Sequence, residues 1–255
     1  MKFLALSERF CLLLALAAFS LLFSNAACAG GPSITTGLGY KPMVQQLCAA
    51  YSHQSGNQPT EMYSGNIGQI IEQAKAGSGV SISISEKASL QESGLAFAEY
   101  RPLGEAVLVL AWRKGLHLAS PQDLGKPEFA KIGYPDAKAA IYGRAAVAFM
   151  KGNNLFEPLK PKLSMLSTVP QVFSYLVSGD LDAAFVNEAV ARKQGDSVGG
   201  WMEVHEGYTP LLLVAGVVAG QENTEDVRSF LQFLNTPEAQ RILAGSGLRP
   251  VHAAE

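Results

Sequence analysis

Little in this chain suits covalent or metal chemistry. Only three cysteines occur in 255 residues. Cys11 and Cys28 fall in the first 29 positions, so Cys48 stands alone beyond them and no disulfide framework forms. The four histidines, His53, His117, His205 and His252, are scattered. No H-E-x-x-H, G-x-S-x-G or zinc-type Cys/His spacing is present, and His205 beside Glu206 is a weak pair at a loop or strand edge. The expectation is therefore no catalytic residue, no metal site and no cofactor. Charge is sparse too: charged residues make up 16% and the formal net charge is −2. Aromatic residues are few and not interleaved with basic ones, which leaves nucleic acid and anionic membranes without an attracting surface. Gly-Lys-Ser and Gly-Lys-Thr are missing, as are low-complexity linkers and repeats of fixed period.

The N-terminus is where apolar residues concentrate. Lys2 and Arg9 precede an apolar run from Phe10 to Phe23, and Ala27-Cys28-Ala29 ends it in an A-x-A pattern. These features predict a secretory signal peptide over residues 1–29 and a periplasmic protein. The run falls short of the roughly 20 apolar residues that a spanning helix needs. Lipid anchoring at Cys28 ranks second, because Asn25 stands where such signals carry a large aliphatic residue. Loss of Lys2, Glu8 and Arg9 makes the remaining chain one charge more acidic. That chain is long enough for two compact α/β lobes. Cys48 shares helical spacing with Val44 and Tyr51 and reads as a buried structural thiol.

Beyond residue 30 strands and helices alternate. Ser33 to Thr36 is β-prone, and Met43, Val44, Leu47, Ala50 and Tyr51 fall at helical spacing. Pro59 to Tyr63 is a second strand, followed by a helix with Ile67, Ile70, Ile71 and Ala74 on one face and Gly77 at its stop. Val80, Ile82 and Ile84 alternate with serines at period two, as in a strand. This order implies parallel pairing through right-handed crossovers. Further on, Glu105 to Gly115 reads as one buried strand, Phe129 to Asp136 as a strand entering a loop, and Ala139 to Met150 as a helix. Val169 to Leu176 is a helix closed at Ser178-Gly179-Asp180. Leu181 to Asn187 and the apolar Pro210 to Val218 are strands, the latter able to return to the first lobe. Two helices end the chain, with Asn223-Thr224 and Thr236-Pro237-Glu238 as starts.

Four junctions repeat one design, in which a small or polar loop leads from a strand into a helix. They are Thr35 to Tyr40, Ser64 to Gly68, Pro135 to Tyr142, and Ser167 to Val169. In a parallel sheet such helix starts gather at the C-terminal edge of the strands, where ligands bind. Each exposes free amide hydrogens and the positive end of a helix dipole, and glycine at 37, 39, 65 and 68 lets backbone approach a ligand closely. Several such starts on one cleft would hold an oxyanion with no salt bridge.

The four loops, the signal peptide and "FLQFLNTPEAQRILAGSGLRP" (Phe230 to Pro250) together resemble the periplasmic solute-binding proteins of ABC importers. "TTGLGYKPMVQQLCAAY", "YSGNIGQIIEQAKAG", "YPDAKAAIYGRAA" and "STVPQVFSYLVSGDLDAAFVNEA" resemble the molybdate- and tungstate-binding branch. The resemblance implies an α/β, two-lobed type II periplasmic-binding fold whose lobes are joined by two hinge strands. One lobe would comprise residues 30–110 and 211–255, the other residues 111–210. Carried over by position, ligand contacts fall at Gly39, Asn66, Ile67, Ala139, Ala140, Val169 and Asn187. Thr36, Tyr40, Lys41, Gly68, Lys138 and Tyr142 are accessory candidates. Relatives often carry serines where Gly39, Asn66 and Ile67 stand here, and a tyrosine in place of Asn187. The implied role is a monomeric, non-enzymatic receptor that captures molybdate or tungstate for a membrane ABC permease. The alternative is a binding module of the same fold for another small anion or organic ligand, feeding a sensor.

Overall fold

The computed structural model describes residues 30–64 and 67–251, without the side chains of Ser64 and Ile67. The expected signal peptide, Gly65, Asn66 and His252 lie outside the described residues. The chain opens with β1 (Ser33–Gly37), α1 (Lys41–Ser55), β2 (Thr60–Ser64), α2 (Ile67–Lys75) and β3 (Ile82–Glu86). β1 lies between β2 and β3 and runs parallel to both, the pairing that a strand–helix–strand repeat dictates. In α1, Met43, Val44, Leu47, Cys48 and Tyr51 fall on one buried face. Burial, with the Glu61 carboxylate nearby, pushes the Cys48 thiol up to about 12, so it is an inert packing group.

Next come α3 (Lys87–Glu92), β4 (Phe97–Ala106) and β5 (Leu108–Trp112). The single strand expected over residues 105–115 is thus two strands in two different sheets. Ala106 pairs with Leu211 and Leu248, whereas Leu108 pairs with Asn187, and the chain changes sheets at Val107. The first eight residues of β4 escape a pattern reading because Pro102 and Gly104 sit among them, and both normally interrupt strands.

The middle of the chain contributes β6 (Ile132–Pro135), α4 (Ile141–Gly152), α5 (Phe156–Leu159), β7 (Leu163–Leu166), α6 (Val169–Ser178), β8 (Ala183–Asn187), α7 (Glu188–Lys193) and β9 (Gly200–Glu203). Gly179 closes α6 in the left-handed conformation at φ 85°. These strands and β5 make a five-stranded sheet in the order β7-β6-β8-β5-β9. β6 is parallel to β7 and β8, while β5 is antiparallel to β8 and β9.

The chain then returns through β10 (Leu211–Val218), followed by α8 (Glu225–Phe233), α9 (Pro237–Gly245) and β11 (Leu248–Arg249). β10 inserts antiparallel between β3 and β4, completing a six-stranded sheet in the order β11-β4-β10-β3-β1-β2. Its unbroken apolar sequence fits a central strand covered on both faces. Tyr51 of α1 meets Phe230 and Phe233 of α8 edge-on, at 5.2 and 5.6 Å between ring centroids. Thr236 caps α9 by accepting from the Ala239 amide. The expected cap at Thr224 is not formed: its hydroxyl donates to the Gln221 carbonyl instead. No helix among the described residues is long and apolar enough to cross a membrane.

Candidate functional site

Three helices aim their N-termini at one small cavity. Tyr40, Ala140 and Thr168 are the N-caps of α1, α4 and α6, and all three line a cavity of about 60 Å³. α1 follows β1 of the six-stranded sheet, whereas α4 and α6 follow β6 and β7 of the five-stranded one, so the cavity lies between the two sheets. Leu38, Gly39, Ser85, Ile141, Tyr142, Ser167 and Val169 complete most of the wall, and Ile70 joins it from the second turn of α2. About 60 Å³ is several times the 10–15 Å³ that a single water needs, room for one small polyatomic ion.

The electrostatics come from backbone, not from charged side chains. Among the described residues, none that lines the cavity is a lysine, arginine, aspartate or glutamate. The first amides of each helix have no intrahelical acceptor, and each helix start carries the equivalent of about +0.5 of an elementary charge. Three together amount to about +1.5, suited to a doubly charged anion.

Hydroxyl groups supply the remaining polarity. Thr168 Oγ1 accepts from the Gln171 amide at 3.3 Å, leaving its hydroxyl hydrogen free to donate. Ser85, 5% exposed and next to last in β3, lies at the wall. The Tyr40 and Tyr142 hydroxyls meet across the cleft at 2.8 Å. Burial raises the pKa of Tyr40 well above its ordinary value, and Tyr142 and Glu86 add to the rise. Burial likewise raises Tyr142, outweighing the hydrogen-bonding influence of Tyr40 and Asn187. Both phenols are therefore neutral donors at ordinary pH.

Of the residues singled out in the sequence, Gly39, Tyr40, Ala139, Ala140, Tyr142 and Val169 meet at this cavity. Asn66 lies outside the described residues, and of Ile67 only the backbone is described, at the start of α2. Asn187 is buried at the end of β8 and caps α7 through its side-chain oxygen, which accepts from the Val190 amide at 3.0 Å. Thr36 is buried in β1 and donates to the Ile84 carbonyl, tying strands together. The Lys41 ammonium lies over the Tyr63 ring, 4.9 Å from its centroid. Lys138 is exposed, and Gly68 belongs to a separate surface groove beside Arg144. Three details refine the wall. The Ala139 and Ala140 amides both donate to the Asp136 carbonyl, at 3.2 and 2.8 Å. A Cβ on Gly39 would meet nothing within 4 Å, so neither packing nor a positive φ requires glycine there. Thr168 belongs to a junction singled out in the sequence, whereas Ser85 carried no signal of its own, because its place depends on how two sheets face each other. Outside the cavity, His205 pairs with Glu203 at 2.9 Å, not with its neighbour Glu206.

Contacts between the two sheets' helices and strands flank the cavity. Arg144, in the first turn of α4, reaches Glu86 at 3.1 Å and also donates to Ser89. Glu86 simultaneously caps α3 by accepting from the Ser89 amide. Elsewhere the two sheets are also tied by Arg249 of β11, which pairs with Glu203 of β9 and lies 3.8 Å from Glu188.

The family model for bacterial extracellular solute-binding proteins matches residues 33–249. The chain belongs to that family. It is 24% identical over 229 residues to the molybdate-binding protein ModA of Rhodobacter capsulatus, covering 87% of this chain and 89% of the relative. The periplasmic molybdate-binding protein of Azotobacter vinelandii superimposes with a TM-score of 0.74 at 18% identity, over 87% of this chain and all of that one. The sulfate-binding protein SubI of Mycobacterium tuberculosis superimposes with a TM-score of 0.67 at 15% identity, over 87% of each chain. At such identities the structural likeness speaks for the fold alone: this solute-binding protein has the two-lobed periplasmic-binding architecture.

Proposed function

We propose that this solute-binding protein is an exported, non-catalytic receptor that captures a tetrahedral oxyanion, molybdate or tungstate, and delivers it to a membrane ABC permease. The observation that carries the reading is the convergence of three helix N-termini and neutral hydroxyls on one 60 Å³ cavity with no charged side chain among the described residues of its wall. Its backbone amides only donate, and its hydroxyls can donate. A fully ionised dianion satisfies it with acceptors alone, whereas a hydrogen-bearing phosphate must turn one hydroxyl from donor to acceptor. The likeness to ModA adds support for molybdate. Gly39 and Val169 keep their proposed role as backbone contacts. At the α4 corner the Ala139 and Ala140 amides are engaged with Asp136, so the donors assigned there are the first-turn amides of Ile141 and Tyr142.

One feature favours a second reading, an organic anion. A larger groove of about 580 Å³ shares Leu38, Gly39, Tyr40 and Pro170 with the cavity and extends toward Arg192 and Lys193. A ligand with an oxyanion head and an organic body would use both. Thermal unfolding of residues 30–255 with molybdate, tungstate, sulfate, phosphate and small organic phosphates separates the two. A ligand at a hundred times its Kd adds about 2.7 kcal/mol, which for a chain of this size raises Tm by about 5–11 °C. A shift with molybdate or tungstate supports the first reading, and one confined to organic anions supports the second. No shift with any of them sinks both.

A further inference from the structure

One buried hydroxyl in the cavity wall has nothing to bond. Ser85 is 5% exposed and lines the cavity, yet its side chain makes no hydrogen bond among the described residues. The other hydroxyls of the wall are engaged or open to solvent. Tyr40 and Tyr142 bond to each other, Thr168 Oγ1 accepts from the Gln171 amide, and Ser167 is exposed. A hydroxyl buried without a partner costs folding free energy, a cost that a bound acceptor removes. The fold says where this hydroxyl points. β1 and β3 are parallel, with Thr35 beside Ser83 and Thr36 beside Ile84. Alternation therefore puts Thr35, Gly37, Ser83 and Ser85 on one face of the sheet and Ile34, Thr36, Ile82 and Ile84 on the other. Gly37 and Ile70 belong to the cavity wall, and a Cβ on Gly37 would meet Ile70 Cδ1 at 3.6 Å. The face that carries Ser85 is thus the one on which the cavity opens.

Resting on the oxyanion reading of the cavity, we propose that Ser85 is a ligand-contacting residue whose hydroxyl donates to the bound anion from the six-stranded sheet. The donors at the helix starts sit where loops enter helices, whereas Ser85 belongs to a strand. β3 is held by β1 on one side and β10 on the other, with Ser85 opposite Val214. Its position therefore does not depend on the two lobes meeting, in contrast to the Tyr40–Tyr142 contact. No internal hydrogen bond has to break when the ion arrives, and a short side chain already packed in a sheet has little freedom left to lose. A hydrogen bond from Ser85 to a charged acceptor thus counts toward affinity almost undiminished. Thr35 and Ser83 supply the contrast on the same face. Both are 0% exposed and their hydroxyls are unpartnered among the described residues, but neither lines the cavity.

The test is calorimetric titration of residues 30–255 with molybdate, tungstate and sulfate, using wild type, Ser85→Ala, Ser85→Cys, Ser83→Ala and Thr35→Val. Ser85→Ala is expected to weaken binding of whichever of these anions wild type takes by about 10- to 100-fold, the loss of a hydrogen bond to a charged acceptor. Ser85→Cys is close in size but a weak donor, and it should lose most of the same factor, which separates the hydroxyl from the space it fills. Ser83→Ala and Thr35→Val delete hydroxyls from the same face outside the cavity and should bind as wild type does. Unchanged affinity in either Ser85 variant while wild type binds would overturn the contact. So would an equal loss in the Ser83 or Thr35 variant, which would mark a general effect on the sheet. Wild type binding none of the three anions would overturn the reading of the cavity itself, and this inference with it.

Discussion

Replacing Arg144 with leucine removes the ion pair that ties the start of α4 to the six-stranded lobe. Arg144 Nη2 and Glu86 Oε2 are 3.1 Å apart. At an effective dielectric constant of about 20, unit charges at that distance attract by about 5 kcal/mol. Most of this is offset by desolvation and by ordering a long side chain. The Arg144 side chain is 40% exposed and that of Glu86 9%, and exposed pairs yield about 0.2–1 kcal/mol net. Glu86 keeps its bond from the Ser89 amide when Arg144 is lost, so the carboxylate is not stranded without a partner. A net effect of about 1 kcal/mol follows, equivalent to about fivefold in affinity. Because the pair joins the two lobes beside the cavity, the loss falls on the closed arrangement and hence on anion binding. Calorimetry with molybdate at low and high salt measures it. Arg144→Leu should bind about fivefold more weakly at low salt, and the gap to wild type should narrow as salt screens the pair. Equal affinity at low salt, or a gap that salt leaves untouched, would refute the reasoning.

Two further changes test what builds the wall and what steadies the lobe behind it. A Cβ at Gly143 would lie 2.3 Å from the Pro135 carbonyl oxygen and 2.6 Å from that of Asp136. Neither backbone group can swing aside, so Gly143→Ala should cost about 1–3 kcal/mol and lower Tm by about 2–12 °C in calorimetry; an unchanged Tm would contradict this close approach. Asp182 gives a pH effect. Burial pushes its carboxyl up, but Arg113 and the Lys131 and Ala130 amides outweigh that and hold it below its ordinary value. Its stabilisation is therefore present above about 3.9, the unfolded value, and is lost as pH falls through the depressed folded value. Urea midpoints between pH 7 and pH 3 should fall less steeply for Asp182→Asn than for wild type, and parallel curves would count against it.

Local patterns carried much of the architecture and less of the cavity. Helical spacing from Met43 to Tyr51, the serine-alternating run before Glu86 and the glycine stop at 179 are short-range signals, and each element formed near its expected limits. β4 was hidden by Pro102 and Gly104, and the break at Val107 by the uniformly apolar residues around it. Which sheet a buried strand joins depends on its distant partners, here Leu211 and Leu248 for Ala106 but Asn187 for Leu108. The helix starts at Tyr40, Ala140 and Thr168 were legible as loops leading into amphipathic runs. Their convergence was not, and neither was the engagement of the Ala139 and Ala140 amides by Asp136, since that depends on how the turn folds back. Ser85 reaches the wall from the end of a strand whose serines all look alike in sequence.

The absence of a lysine or arginine among the described residues of the cavity wall bears on release as much as on capture. A cation in the wall would attract any anion and would keep its full charge with the lobes apart. Helix-start amides behave differently, because their effect fades within about one turn. In the proposed receptor, the three positive ends act together only while α1 sits against α4 and α6. Separating the lobes dilutes the field to that of individual helix ends facing water. The Tyr40–Tyr142 contact and the Arg144–Glu86 pair hold that arrangement with modest interactions, each small enough for a partner pulling on the lobes to undo. Selectivity then rests on how many donors face the ion at once and on whether the ion brings a proton of its own. Gly39 fits this logic: its missing Cβ is required by neither packing nor backbone. In the proposed receptor Gly39 contributes a backbone amide at a position where the protein itself would tolerate a side chain.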